Sequence, residues 1–288
     1  LAVYERTYKG YDGDLTKPWA RFLVLPRYSL RLVFSSRLFL GYFILTFVPA
    51  LVLASIVYIS HNLTLLEKLG IGLGDLALVD AGLFWNFLSV QTILTGFILV
   101  LVVAPQLVAA DLANNALPLY LARPFHRAEY VLGKMSVLLI LLSSVTWIPY
   151  LLIFFLQSYM AGWDWFQDNY RIGFAIFLYS WSWILTMSLI GLSLSALFRN
   201  KRVIRVGLFA LFFIFGGFGA FLAEGLDQVW GYNLNIFMVL QRIGEFLFGL
   251  PPEITAISPA SAVATLLFLG GLSVWILARK IRAYQEVR

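Results

Sequence analysis

The chain has 288 residues, of which 61% are hydrophobic and 12% charged, with a net charge of +6 and no cysteine. A soluble domain carries about 25% charged residues; half that share cannot cover a globule, so a soluble domain is excluded and lipid must be the solvent for most of the chain. Without cysteine, disulfides and thiolate metal sites are excluded, and because the basic residues sit beside apolar runs they read as an orientation signal, not as a nucleic-acid-binding stripe.

Leu1 to Lys17 is polar, mixed in charge and free of a cleavable signal pattern, which predicts a cytoplasmic arm. From Pro18 to Arg37 the apolar Trp19, Phe22, Leu30, Leu32 and Phe34 interleave with Arg21, Arg27, Arg31 and Arg37. That pattern predicts a helix lying in the membrane interface, arginines towards the headgroups, broken or kinked at Pro26.

Six spans follow, each close to the 20 or so apolar residues that the hydrocarbon core requires. They are expected at about 38–59, 86–108, 135–156, 172–197, 206–223 and 260–278. Pro49 lies inside the first, where a neighbouring helix must rescue the freed backbone. Ser60 to Trp85 reads as a short amphipathic external segment, and Gln157 to Arg171, with Trp163, Trp165, Phe166 and Tyr170, as an external loop at headgroup level. The fourth span carries Ser180, Ser182, Thr186, Ser188, Ser193 and Ser195, suited to hydrogen bonds within or between helices. Before the last span, Asn235 to Leu250 is apolar but interrupted by Gln241, Arg242 and Glu245 on one side of a helix. Too polar to span, it reads as an amphipathic or re-entrant external element.

All Lys and Arg except Lys68, Arg171 and Arg242 fall on the side that holds both termini, which predicts that both termini are cytoplasmic. The fold class is therefore an all-α membrane protein of six transmembrane helices, with an N-terminal interfacial amphipathic helix and a re-entrant or amphipathic external element before the last span. Residues 1–37 form the arm and interfacial helix, and 38–288 the transmembrane domain.

The expected spans hold no Asp, Glu, Lys, Arg or His. An ionisable group at mid-bilayer costs about 2.5–3.5 kcal/mol on insertion scales and is kept there for function. Its absence argues against a proton relay, an ion-coupled carrier and an intramembrane hydrolase. No H-E-x-x-H pattern exists, so a zincin site is excluded, and the Gly191-Leu192-Ser193 piece reads as helix packing. Gly133-Lys134 ends like a phosphate-binding loop, but Ala128 and Met135 stand where that motif needs Gly and Ser or Thr. Lys134 instead reads as a snorkelling anchor at the mouth of the third span.

One long cytoplasmic stretch remains, Ala110 to Lys134. Asp111 suits the first turn of a helix; Leu112, Ala113, Ala116 and Leu117 give that helix an apolar side, Asn114 and Asn115 a polar one, and Pro118 disturbs it. A plain connector needs only a few residues, so this loop is expected to dock on something.

The series Asp111, Leu119, Leu121, Ala122, Arg123, Pro124, Arg127, Glu129, Tyr130, Leu132, Gly133, Lys134 resembles the cytoplasmic loop of ABC exporter permeases of the type V (ABC-2) class. The Tyr130-to-Lys134 piece is also similar to the corresponding loop of the G-subfamily half-transporters. The layout agrees: a basic interfacial helix, about six spans, a short basic turn after the fourth, a long external segment before the sixth. One departure is Asn114-Asn115-Ala116-Leu117-Pro118, where many members have a Gly-Thr-Leu-Glu-like piece.

The resemblance implies a permease subunit without catalytic residues or cofactors of its own, ATP and Mg being held by a separate cytoplasmic ABC ATPase. Two permease copies would pair, as a homodimer, in the inner (cytoplasmic) membrane of a bacterium or archaeon. Asp111 to Tyr120 would be the first coupling helix, with Asp111, Asn114, Asn115, Leu117, Tyr120, Arg123 and Arg127 facing the ATPase, and Arg199 and Arg202 would add a second contact. The second and fifth spans would line the substrate path with Asn86, Ser89, Ile93, Phe97, Phe209, Phe212 and Phe213, an apolar lining suited to a hydrophobic or lipid-like substrate. The competing class is an ATP-independent carrier or channel.

Overall fold

The computed structural model describes residues 24–62, 79–116, 120, 126–253 and 255–281. Among them the chain is helical with no strand, and six helices are long and apolar enough to cross a membrane. In chain order the helices are α1 (Val24–Phe34), α2 (Arg37–Ser60), α3 (Ala81–Ala113), α4 (Arg127–Ala161), α5 (Trp163–Leu197), α6 (Lys201–Gly225), α7 (Ile236–Phe248) and α8 (Pro259–Lys280). All but α1 and α7 are the candidate spans.

The 35-residue α5 is the axis. It is the most deeply buried of the six, and α3, α4, α7 and α8 all pack on it. Small residues allow the close approach. A Cβ on Gly191 would sit 2.9 Å from the Ala104 Cβ on α3, and one on Gly173 would sit 3.0 Å from the Phe154 ring on α4. By contrast α2, α6 and α8 are peripheral and turn Ile44, Leu51, Phe218, Leu267 and Phe268 outward. Such faces are unfavourable in water by about 25 cal/mol per Å² of apolar area, so lipid or another helix must cover them.

Helix interruptions are matched by side-chain hydrogen bonds from neighbours. α2 breaks at Thr46–Phe47, just before Pro49, and the Thr46 carbonyl accepts from the Gln91 amide of α3 at 2.8 Å. α3 loosens into a π-helical turn over Gln91–Gly96, where the Thr95 carbonyl accepts from the Tyr42 hydroxyl at 2.6 Å. From α4, Tyr150 donates to the Phe87 carbonyl of α3, one turn before the π turn, at 2.8 Å. In lipid no water can replace these partners.

One expectation is corrected. Gln157 to Arg171 is not a loop: α4 runs to Ala161, Gly162 turns the chain with a φ of 97°, and α5 starts at Trp163. A single glycine in the left-handed region suffices for the turn, so the aromatic residues sit on helices. The first helix is described from Val24 on, with Pro26 within it; stretch 18–23 of the expected interfacial helix lies outside the described residues. Most of the expected external segment Ser60 to Trp85 falls outside the described residues; Asp80 caps α3 by accepting from the Leu83 amide at 2.8 Å, and the segment's last residues, from Ala81 on, belong to that helix.

After α6 the chain reverses. A Cβ on Gly219 would land on the carbonyl oxygen of Gly231, so the short 3-10 turn Val229–Leu234 lies directly against α6. Asn235 then caps α7, accepting from the Phe237 and Met238 amides at 3.1 and 3.3 Å. The Phe237 ring meets Phe97 of α3 and Phe212 of α6, while Phe248 at the other end meets Trp85 near the start of α3. α7 is thus a short helix laid inside the bundle. Gln241, Arg242 and Glu245, crowded as the sequence indicated, form one network: Gln241 donates to Glu245 at 3.0 Å and to Glu253 at 2.6 Å, and Arg242 to the Ile257 carbonyl at 2.8 Å.

Candidate functional site

The end of α3 carries a buried polar cluster. Its last five residues, Ala109–Ala113, form a separate helical turn after a break at Val108. The break leaves the amides of Val108 and Ala109 without the usual helical carbonyl. Ser195 of α5, fully buried, accepts both, at 3.2 and 3.0 Å. The serine therefore does more than fill space between helices, because it fastens this turn to the axis helix.

Asp111 points inward. Its Oδ2 lies 2.8 Å from the Lys134 ammonium and accepts the Tyr130 hydroxyl at 2.7 Å. The side chains are 14% and 7% exposed for Asp111 and Lys134. Lys134 therefore does not snorkel to water: a carboxylate placed within reach by the preceding helix holds it inside. A pair this buried pays a desolvation penalty that its attraction repays only with good geometry and further hydrogen bonds. The Tyr130 hydroxyl supplies one, and Lys134 also lies 5.8 Å from the centre of the Tyr130 ring. Tyr120 packs on Tyr130 with ring centres 5.7 Å apart. Burial, then the Asp111 carboxylate and Tyr28, push the Tyr120 phenol upward, which keeps it neutral.

The helix beginning at Ala109 ends sooner than the sequence pattern predicts. Asn115 adopts a φ of 51°, and the Ala116 amide turns back to the Asp111 carbonyl at 2.8 Å. Asparagine tolerates the left-handed region better than most residues. So Asn114-Asn115 terminate this turn and do not form the polar side of a helix running on from Asp111. A further helical hydrogen bond, Tyr120 amide to Ala116 carbonyl at 3.2 Å, begins after it. At the far side of the loop the Glu129 carboxylate accepts from the His126 amide at 2.8 Å and starts α4.

Of the residues expected to face a partner, Asn114, Asn115, Arg127, Arg199 and Arg202 are exposed, Tyr120 is half-buried and Asp111 is turned inside. Leu117 and Arg123 lie outside the described residues. The link from Ser195 to Ala109 brings the α5–α6 turn to the same end of the molecule as Ala109–Ala113. Asn200 caps α6 there, accepting from the Arg202 amide at 2.9 Å.

The residues expected on the substrate path separate into two groups. Phe97, Phe209, Phe212 and Phe213 come together. Phe97 lies 4.9 Å from Phe212 and 5.8 Å from Phe213, ring centre to ring centre, and Phe209 stacks on Phe213 at 4.5 Å. Phe97 and Phe212 are buried, 3% and 1% exposed, whereas Phe209 and Phe213 open to the outside of the chain. Asn86, Ser89 and Ile93 lie further along α3 and do not join them; Asn86 is exposed, the other two half-buried. Both helices leave α geometry here: π turns at Gln91–Gly96 and Ala210–Ile214 adjoin the cluster. Such turns mark functional positions more often than chance.

Lys134, Tyr130 and Ser195 join this cluster, although the sequence gave them no part in the expected coupling surface. The signal was present for the first two, since a carboxylate closing one span and a lysine opening the next are natural partners. Ser195 gave none.

A comparison with protein-family models matches residues 27–277 to the family described as ABC-2 family transporter protein. The chain matches no curated protein.

Proposed function

This chain belongs to the ABC-2 family of transporter proteins, and we propose that it is the permease subunit of an ATP-binding-cassette exporter, driven by a separate cytoplasmic ATPase that holds the ATP and Mg. Two copies pair as a homodimer in a bacterial or archaeal inner membrane, with both termini in the cytoplasm. Residues 1–37 are the arm and interfacial helix, and 38–288 the transmembrane domain. α7 is a re-entrant element: it enters from the outer side to the depth of Phe97 and Phe212 and returns.

The observation that carries this reading is the buried Asp111–Lys134 pair with Ser195 beside it. A loop that only linked two spans would need no such clamp. Here the turn Ala109–Ala113 is joined to α4 through an ion pair and to α5 through the Ser195 hydroxyl, which accepts from the Val108 and Ala109 amides where the turn begins. A push on the exposed Asn114, Asn115 and Arg127 then moves α3, α4 and α5 as one body. Arg199 and Arg202 receive the second contact. Asp111 acts from inside, by holding the surface in place. ATP binding closes the ATPases, shifts this end of the permease and opens the cavity between the two copies outward. The aromatic lining from Phe97, Phe209, Phe212 and Phe213 favours a hydrophobic or lipid-like substrate.

The test is co-purification with the ATPase and reconstitution. The chain alone hydrolyses no ATP, while the complex couples hydrolysis to transport. Arg127→Ala, at an exposed position, and Arg123→Ala uncouple the two and leave the permease folded. Intact transport and ATPase stimulation in both variants would refute the assignment of these contacts.

A further inference from the structure

A groove of about 290 Å³ opens where α1, α2, α3 and α6 meet, on the same side as the basic turns. Its floor is apolar, with the buried Val33 and Phe39, and Leu38 stands exposed at its edge. Its polar lining is Ser36, Tyr42, Gln106 and Arg205. The Tyr42 hydroxyl is engaged by the Thr95 carbonyl, and the Gln106 amide nitrogen by the Val102 carbonyl at 2.9 Å. The Arg205 guanidinium has no ion-pair or hydrogen-bond partner among the described residues, and neither does the Gln106 carbonyl oxygen. No carboxylate lines the groove.

We propose that this groove binds an anionic phospholipid from the leaflet on the basic side, with the headgroup phosphate on Arg205 and the first part of an acyl chain along Leu38 and Phe39. Charge complementarity selects the occupant. The lining offers one unpaired, always-charged planar donor, and a phosphate oxygen pair is its geometric match. The Ser36 hydroxyl accepts from the Phe39 amide at 3.3 Å and keeps its own proton to donate to the same phosphate. The free Gln106 oxygen accepts from a headgroup hydroxyl, which a glycerol headgroup supplies. The volume is at the small end for a ligand site, about 300–1,000 Å³, so it takes a headgroup and chain start while the rest of the lipid stays in the bilayer. A lipid there would bridge α1 to three of the spans, α2, α3 and α6. The proposal rests on reading this side as the membrane–water boundary, and its test uses no ATPase, so it can fail while the transporter reading stands.

The full chain, purified in detergent, is offered equal amounts of phosphatidylglycerol and phosphatidylcholine and read by native mass spectrometry. The wild type retains phosphatidylglycerol in preference. Arg205→Ala weakens that retention about tenfold or more, the range for a charge-assisted hydrogen bond, Gln106→Leu weakens it less, and the nearby surface change Lys201→Ala leaves it as it was. Inorganic phosphate at millimolar concentration does not displace the lipid. Equal retention of both lipids, an unchanged Arg205→Ala variant, displacement by free phosphate, or no bound lipid because the second copy fills the groove would each overturn the proposal. Thermal unfolding of each variant without lipid checks that Arg205→Ala is folded.

Discussion

Take away the Lys134 ammonium and the Asp111 carboxylate is left buried with a single phenol for company. Breaking a buried pair on one side costs about 3–5 kcal/mol, whereas replacing both partners by apolar groups is often close to neutral. Lys134→Met is therefore expected to lower the unfolding temperature sharply in detergent, and the double variant Asp111→Leu/Lys134→Met to recover most of it. A Lys134→Met protein as stable as the wild type would show that the pair does not hold the turn. Ser195→Ala leaves two buried amides unsatisfied, each costing about 1–3 kcal/mol, and should loosen the same turn, seen as faster hydrogen exchange at Val108 and Ala109. At this scale the sequence was only partly legible. The charges of Asp111 and Lys134 were visible, but a lysine next to a span has two outcomes, reaching for water or meeting a carboxylate, and only the fold decides between them. Ser195 was one of several serines in its span, and which of them would face a broken backbone depends on the packing of α3 on α5.

The elements themselves were more legible. A span announces itself by about 20 apolar residues, and each expected stretch lies inside one of the six long helices. The ends were the weak point. The helices continue past the bilayer-length core into charged sequence, as α4 does from Arg127 and α6 from Lys201, because helical backbone hydrogen bonds do not end where the apolar run ends. The turn at Gly162 was hidden among tryptophans that also suit a surface loop. α7 was recognised as too polar to span, but its docking depends on shape: a Cβ on Gly244 would fall inside the Trp85 ring. Gly244→Ala is expected to cost about 1–3 kcal/mol from overpacking, and Trp85→Leu in the same chain to relieve it; stability of the single and double variants measured by thermal unfolding tests the contact. The aromatic cluster separates two roles. Phe97→Ala empties a buried site and should cost about 3–5 kcal/mol. Phe213, 46% exposed, should tolerate alanine with little loss of stability and change which compounds are transported. If transport of every compound tested is unaffected by both, the substrate path lies elsewhere.

For the whole molecule, the buried centre is α5 and the open faces belong to α2, α6 and α8. In the proposed function, work enters at one end and is released along the bundle. The clamp at Asp111, Lys134 and Ser195 joins three helices, while π turns at Gln91–Gly96 and Ala210–Ile214 put weaker points in α3 and α6 near mid-span. A stiff base below pliable spans suits a machine that converts a push at its end into a change of shape in its middle. The chain contains no cysteine, so an introduced thiol is unique. Asn115→Cys places one on the exposed tip of the coupling turn. In the complex reconstituted with its ATPase, a short crosslinker with a maleimide at one end and an amine-reactive ester at the other should link residue 115 to a lysine of the ATPase, and a membrane-impermeant maleimide should reach it only from the side that carries the ATPase. Labelling of residue 115 from the opposite side, or a fully assembled and active complex in which it links to nothing, would contradict the account.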